Sequence, residues 1–311
     1  MIVENFAKKS FLALKNPYHT VLKVNPMIID DIYNYSKVYY VGYKNHNILC
    51  DEFKNRLHQK GFLNHTIDKM SYGGRALDLE LVNPLTGKYM TGSSSGTALN
   101  VFYRINDIGV GTDGGGSVLG PAASLNLYGF ISNKIEEEWV NKFYKESTDG
   151  IGFSPSIGYI TRDLEPMLDI IGDTLELGNC NDYILKKVDI DTSLDRNTLI
   201  EYINKNVIKG QILESIEGPI DVEGFGDSVF GHFDEYTKEI QKKANKGLMR
   251  VVNMCNKTCL AIPLKELGMT KLLICDSNPD DIRNVLELAK TCKKEEDKLI
   301  NNYFGNYRMY F

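Results

Sequence analysis

A run of three glycines constrains the backbone more than any other feature of this 311-residue chain. It lies in GTDGGGSVLGPAA, residues 111–123, directly before Ser117 and shortly before Pro121. Glycine loses more conformational entropy on folding than any other residue, so such a run is kept where the backbone turns sharply or closely approaches another group. The run therefore indicates a loop that approaches a phosphate, a cofactor or the reacting atoms of a substrate.

Two nucleotide-binding motifs were compared with this loop. Gly109, Gly111 and Gly114 have the spacing of a dinucleotide fingerprint, but that motif requires a helix to open at its last glycine. Here two further glycines and Pro121 follow, which disfavours a helix at that point. No Gly-Lys-Ser/Thr follows either, so a Walker A loop is excluded.

A second glycine and serine loop, TGSSSGTALN, precedes the first and is joined to it by VFYRINDIGV. The pair GSSSGTA…GTDGGGSVLGPAA resembles the signature of the amidase signature family. Ser93 and Ser117 lie 24 positions apart, which is the interval between the two serines of that family. The similarity extends from about residue 38 to the C-terminus, and it is dense at 66–130 and thin at 178–245. The chain is thereby identified as a short and divergent member.

The resemblance implies a catalytic set of two serines and a lysine. Ser117 matches the nucleophile, and Ser93 matches a bridging serine that is preceded by a cis peptide bond in the family. Lys44 follows YYVGY, which resembles the strand that carries the family's lysine, although Asn45 replaces the usual acidic neighbour. Lys69 is the rival for this role. We expect Lys44 to be the base.

The chemistry of these residue types fits amide hydrolysis. A serine hydroxyl is a weak nucleophile until a base accepts its proton, and burial can keep a lysine amine neutral enough to be that base. A hydroxyl both donates and accepts, so Ser93 can pass a proton from Ser117 to Lys44. Backbone N–H groups stabilise the oxyanion that forms. We assign the oxyanion hole to Gly114, Gly115 and Gly116, and supporting roles to Asp113, Ser94 and Thr112.

Strand and helix patterns alternate along the chain. Strands are predicted at 37–43, 258–264 and 270–276, and helices at 51–62, 156–177, 233–255 and 278–294. This alternation predicts an α/β protein, and the resemblance specifies an α/β/α fold with a central mixed β-sheet flanked by helices. One amidase-signature domain is expected over residues 1–311, with the catalytic loops within 40–130.

Composition and charge restrict the kinds of binding partner that we expect for this chain. The formal net charge of −5 argues against a nucleic-acid surface, and no apolar run is long enough to span a membrane. Six scattered cysteines and the lack of a signal-peptide pattern favour a cytoplasmic location. Cys255 and Cys259 are interpreted as core thiols rather than a metal site, and no cofactor is implied. We expect a small-molecule amide substrate, no nucleic acid and no membrane, and a homodimer is left open.

The sequence thus predicts a serine amidase that hydrolyses a linear carboxamide through an acyl-enzyme. Two alternatives stay open at this point. One is an acyl or amide transferase of the same family, with an amine or ammonia as acceptor, and the other is a catalytically inactive binding relative.

Overall fold

The computed structural model describes residues 2–292 and 298–304. The strands are β1 Val21–Val24, β2 Tyr39–Lys44, β3 Phe62–Asp68, β4 Leu77–Val82, β5 Tyr89–Thr91, β6 Ile108–Asp113, β7 Tyr128–Ser132, β8 Lys145–Glu146, β9 Gly152–Phe153, β10 Ser156–Thr161, β11 Ile184–Lys187, β12 Gln211–Glu217, β13 Thr258–Pro263 and β14 Thr270–Cys275. The α-helices are α1 Ile2–Lys15, α2 Asp51–His58, α3 Ser95–Phe102, α4 Leu119–Ser124, α5 Glu137–Val140, α6 Leu164–Thr174, α7 Arg196–Asn206, α8 Glu235–Lys242, α9 Pro279–Thr291 and α10 Lys298–Phe304. None of these described helices is long and apolar enough to cross a membrane.

Ten strands form one mixed sheet in the order β1-β3-β2-β6-β10-β7-β13-β14-β12-β11. Strand β2 runs parallel to both of its neighbours, β3 and β6, whereas β6, β10, β7, β13, β14 and β12 pair antiparallel in succession. Helices α3, α4 and α7 contribute to the apolar core on one face, and α2, α6 and α9 to the core on the other. The predicted α/β class, with a mixed sheet between helical layers, is confirmed.

Two of the three glycines with dinucleotide-like spacing, Gly109 and Gly111, lie inside β6 rather than in a loop. A Cβ on Gly109 would lie 2.6 Å from Thr97 Cγ2, and a Cβ on Gly111 would lie 2.6 Å from Ser94 Oγ. Both contacts belong to the first turns of α3 or the residue before it, so glycine lets this helix pack closely on the strand. The dinucleotide-like spacing therefore reflects helix–sheet packing.

Several predicted elements are confirmed. The strand prediction at 37–43 corresponds to β2, and those at 258–264 and 270–276 correspond to β13 and β14. The helix prediction at 51–62 corresponds to α2. The prediction at 278–294 corresponds to α9, whose N-cap Asn278 accepts a hydrogen bond from the backbone of Asp281; residues 293 and 294 lie outside the described part.

Two helix predictions were too long. Residues 156–161 form β10, which is buried at every position between β6 and β7, because a short apolar run rich in β-formers suits a central strand. In 233–255, α8 ends at Lys242, and Asn245 and Gly247 then take positive φ angles that end helical geometry. Short 3-10 turns follow at Gly247–Arg250 and Asn253–Cys255.

Candidate active site

The parallel pairing of β2 with β6 places their carboxyl ends at the same edge of the sheet, where α/β proteins commonly bind ligands. Lys44 is the last residue of β2, and Asp113 is the last residue of β6. The loop that carries Ser117 continues from β6, and the loop that carries Ser93 enters α3, which packs over both strands. The topology thus brings three predicted residues, Lys44, Ser93 and Ser117, to the same edge of the sheet from distant parts of the chain.

Lys44 contacts the bridging serine directly. Its Nζ lies 2.7 Å from Ser93 Oγ and 2.9 Å from Thr112 Oγ1, and a longer contact of 3.4 Å joins it to the Thr112 carbonyl. The side chain is buried, and burial lowers the pKa of Lys44 to about 7, with the charge of Lys145 acting in the same direction and that of Asp113 opposing it. Much of this amine is therefore neutral near pH 7, as a general base requires.

The rival lysine is occupied elsewhere. The Nζ of Lys69 forms an ion pair with the carboxylate of Glu80 on β4. Its backbone N–H donates to the Thr20 carbonyl at 2.8 Å, which fixes the segment that leads into the serine loop. The structure brings Lys44, and not Lys69, to Ser93.

The two serine loops are joined through the backbone. The N–H of Ser94 donates to the carbonyl of Ser117 at 3.3 Å. Gly92 has φ +75°, and a Cβ at this residue would lie 2.5 Å from Pro121 Cδ, so glycine is required where the first loop turns under the second.

Two details of the implied relay differ in the structure. The peptide bonds on either side of Ser93 are trans, and the cis peptide bond within residues 2–292 and 298–304 is Gly218–Pro219. The loop reverses direction at Gly92 through its positive φ instead. In addition, the Ser117 hydroxyl makes no hydrogen bond to any described residue, so the link from Ser117 to Ser93 is not formed. Catalytic hydrogen bonds are often loose in the absence of substrate.

Asp113 organises the loop that carries Ser117. Its carboxylate accepts backbone hydrogen bonds from Gly116 at 2.7 Å, Val118 at 2.6 Å and Leu119 at 3.3 Å. Burial raises the pKa of Asp113, and these donors and Lys44 act against that rise. The Asp113 side chain therefore makes hydrogen bonds that hold the loop carrying Ser117, as expected.

The contacts of Asp113 bear on the expected oxyanion hole of Gly114, Gly115 and Gly116, which stays a prediction. The N–H of Gly116 donates to Asp113 and is therefore already engaged. The N–H groups of Gly114, Gly115 and Ser117 have no hydrogen-bond partner among the described residues. Gly114 is packed against the Phe153 ring, whereas Gly115 and Ser117 face a cavity. Gly115 and Ser117 are the better placed donors.

The other two residues with an expected supporting role, Thr112 and Ser94, make different contacts. Thr112 offers both its hydroxyl and its carbonyl to Lys44, as described above. The hydroxyl of Ser94 is buried against Gly111 and lacks a hydrogen-bond partner in the structure described. Only Thr112 therefore contacts the lysine.

A buried polar network that the sequence analysis missed fixes α3 to the sheet. Asp68, at the end of β3 and in register with Lys44, accepts hydrogen bonds from Asn100 on α3 at 2.7 Å and from Thr66 at 2.6 Å. Burial raises the pKa of Asp68 to about 7. The signal in the sequence is the number of polar residues, Asn64, His65, Thr66 and Asp68, in a strand that begins Phe-Leu.

The loop that carries Ser117 opens into a cavity of about 510 Å³. The lining includes Gly92 and residues 115–117 and, from other segments that we call the arginine wall, residues 191–196 together with parts of 226–250. The arginine wall includes Arg196 and Arg250, neither of which was predicted from the sequence, because both lie in or next to segments with little or no motif similarity.

Comparisons with known proteins agree with this geometry. The family model described as Amidase matches residues 79–133, which include both serine loops. No curated protein sequence matches the chain significantly. The resemblance to the amidase signature family is confirmed by this match together with the fold.

Solved structures of low sequence identity share the fold. A 6-aminohexanoate cyclic dimer hydrolase complexed with substrate is 11% identical with a TM-score of 0.62, over 96% of this chain and 95% of that chain. A bacterial aryl acylamidase of the amidase signature family is 13% identical with a TM-score of 0.62, over 93% of both chains. The allophanate hydrolase of Kluyveromyces lactis is 12% identical with a TM-score of 0.58, over 93% of this chain and 70% of that chain.

Proposed function

This chain carries the signature segment and the fold of the amidase signature family, and from that premise we propose that it is a serine amidase acting on a linear carboxamide. One observation carries the proposal: a buried amine with a lowered pKa contacts Ser93, and the adjoining loop, whose Ser117 carbonyl accepts from the Ser94 N–H, lines a cavity. A buried lysine without an acidic partner within hydrogen-bond distance costs stability, and it is most readily explained by use as a base.

In the proposed acylation step, Ser117 Oγ attacks the substrate carbonyl carbon. Its proton passes to Ser93, whose own proton passes to the neutral amine of Lys44. The carbonyl oxygen becomes an oxyanion that accepts hydrogen bonds from the N–H groups of Gly115 and Ser117. The C–N bond then breaks, and Lys44 returns a proton through Ser93 to the departing amine.

In the proposed deacylation step, water enters the site that the amine has left. The neutral Lys44 accepts a proton from water through Ser93 while the water oxygen attacks the acyl carbon. Collapse of the second tetrahedral intermediate releases the acid and restores the Ser117 hydroxyl. Atoms and protons balance over the cycle, and the protein supplies every proton transfer from its own side chains.

The relay requires a contact that the present structure does not show. Ser117 Oγ is free, and rotation about one side-chain bond changes its direction without moving the backbone. We propose that substrate binding turns this hydroxyl toward Ser93, which lies in the loop bonded to the Ser117 carbonyl.

The test is release of ammonia or amine from a panel of small linear amides, with wild-type protein, Ser117→Ala and the control Ser124→Ala. Ser124 lies in α4, where its hydroxyl caps the Pro121 carbonyl away from the cavity. We expect turnover by the wild type and the control and none by Ser117→Ala. Equal turnover by Ser117→Ala would overturn the proposal. Turnover that requires an added amine or ammonia as acceptor would identify a transferase instead.

A further inference from the structure

Arg196 lies on the arginine wall of the cavity, beside the loop that carries Ser117. It is the first residue of α7, and one terminal nitrogen of its guanidinium lies 4.0 Å from the position that a Cβ on Gly115 would occupy. Arg196, Gly115 and Ser117 line the same cavity. A substrate whose carbonyl lies against the Gly115 N–H therefore has a guanidinium close to the scissile bond.

The guanidinium is anchored through only part of its donor set. Nη1 donates to the Asp149 carboxylate at 2.8 Å, and the other guanidinium nitrogens make no hydrogen bond to a described residue. A guanidinium carries five N–H donors, so one carboxylate leaves several unused. About 24% of the side chain is exposed, which keeps these donors accessible from the cavity.

The base of this side chain is held in place. Arg250 Nη2 donates to the carbonyls of Thr192 at 3.0 Å and Leu194 at 2.9 Å, which pins the loop that precedes α7. Asp195 caps the helix by accepting from the Thr198 N–H at 3.1 Å. Such preorganisation reduces the entropy lost when the guanidinium binds a ligand.

Other cations on this wall are already paired. Lys238, Lys242 and Lys246 each lie within 3 Å of a carboxylate, from Glu235, Glu239 and Asp221 respectively. The nearby carboxylates of Asp195 and Glu217 also accept hydrogen bonds from the protein, so neither needs the free donors of Arg196. Burial lowers the pKa of Arg250, and the charge of Arg196 adds to that effect.

Building on the proposed function, we propose that the substrate is an acidic amide whose carboxylate, a few bonds from the scissile carbonyl, binds the free donors of Arg196. Arginine matches a carboxylate because its planar fork can give two parallel hydrogen bonds. Two chemical arrangements provide this ligand. The carboxylate belongs either to the acyl part, as in a dicarboxylic acid monoamide, or to the amine part, as in an N-acyl amino acid.

Binding to Ser117→Ala protein, measured by calorimetry, tests this without turnover. The probes for the acyl arrangement are the monoamides from malonamate to adipamate, and the neutral control for succinamate is 4-oxopentanamide, which replaces the carboxylate by a methyl ketone. The probe for the amine arrangement is N-acetylglycine, with N-acetylaminoacetone as its neutral control. We expect one acidic series to bind about 10- to 100-fold more tightly than its neutral control, as for a charge-assisted hydrogen bond.

Three further variants assign the preference to Arg196. In the Ser117→Ala background, Arg196→Gln should abolish the preference, whereas Lys238→Gln, a matched change on the same wall, should preserve it. Asp149→Asn should increase the preference, since it removes the negative charge beside the guanidinium that repels a bound carboxylate, and a gain in binding cannot arise from misfolding. Failure of both acidic series to bind more tightly than the neutral controls, or a preference that survives Arg196→Gln, would overturn the inference.

The outcomes separate this inference from the proposed function. Tight binding of an acidic amide that wild-type protein does not cleave would retain the Arg196 site and contradict the amidase proposal. Hydrolysis of neutral and acidic amides with equal kcat/KM would retain the amidase and contradict the site.

Discussion

Two regions next to Ser117 are built by different means. In the region beneath the cavity, the side chains of Lys44 and Ser93 are buried and their contacts lie within the sheet, α3 and the loop before it. On the wall that carries Arg196 and Asp149, the charged groups are partly exposed and their partners lie in loops. The difference shows that pKa control requires burial, whereas recognition of a ligand requires donors that solvent can reach.

The motif similarity follows the same division. It is dense at 66–130, which includes both serine loops, and thin at 178–245, which forms much of the arginine wall. We infer that the buried region determines the reaction and that the arginine wall determines the substrate.

The largest expected effect on activity comes from replacing Ser117. Ser117→Ala should lower kcat/KM by on the order of 10⁴-fold or more, because the attacking oxygen is lost. Its melting temperature should change little, because the hydroxyl makes no hydrogen bond that would be lost. Steady-state kinetics and thermal denaturation measure the two quantities. A melting temperature lower by about 10 °C or more would instead indicate a packing role for this residue.

The next largest loss of activity is expected when Lys44, and not Lys69, is replaced. Lys44→Ala and Lys44→Arg should both lose on the order of 10²- to 10⁴-fold in kcat, since arginine keeps its proton at any accessible pH. Lys69→Ala should keep most activity, because its amine pairs with Glu80 away from Ser93. An inactive Lys69→Ala beside an active Lys44→Ala would require the relay to be redrawn.

Neighbouring glycines separate catalysis from packing. Gly115→Val should lower kcat by on the order of 100-fold with little loss of stability, since the nearest atom to a Cβ there is 3.4 Å away and the side chain would fill the oxyanion site. Gly114→Val should instead destabilise the fold, since its Cβ would lie 2.5 Å from the Phe153 ring. Similar losses of stability in both variants would show that Gly115 also serves packing.

The smallest effect is expected from the network beneath α3. Burial holds the pKa of Asp68 at about 7, well above its ordinary value, so the folded state binds the proton more tightly than the unfolded state. The free energy of unfolding should therefore fall as pH rises from about 4 to about 7, by at most a few kcal/mol. Chemical denaturation across this range measures the slope. The same slope in Asp68→Asn would assign it to another group.

The sequence predicted two serines from the interval between two loop motifs and Lys44 from the strand that precedes it, and their catalytic roles stay predictions. Strand β2 was identifiable from its β-branched and aromatic residues, and the structure brings Lys44 to Ser93. The engagement of the Gly116 N–H by Asp113 and the trans peptide bonds at Ser93 depend on tertiary geometry that no local pattern encodes. Arg196 and Asp149 are 47 positions apart and meet only through the fold.

The pH dependence of covalent labelling by a fluorophosphonate tests whether a neutral Lys44 activates Ser117. We expect an adduct at Ser117 whose rate of formation rises with pH through about 7, because only the unprotonated amine accepts the proton. His46 cannot supply this inflection, since burial lowers its pKa to about 4, and Asp68→Asn should retain it. An adduct on another residue, or a rate that does not change between pH 5 and 9, would contradict the account.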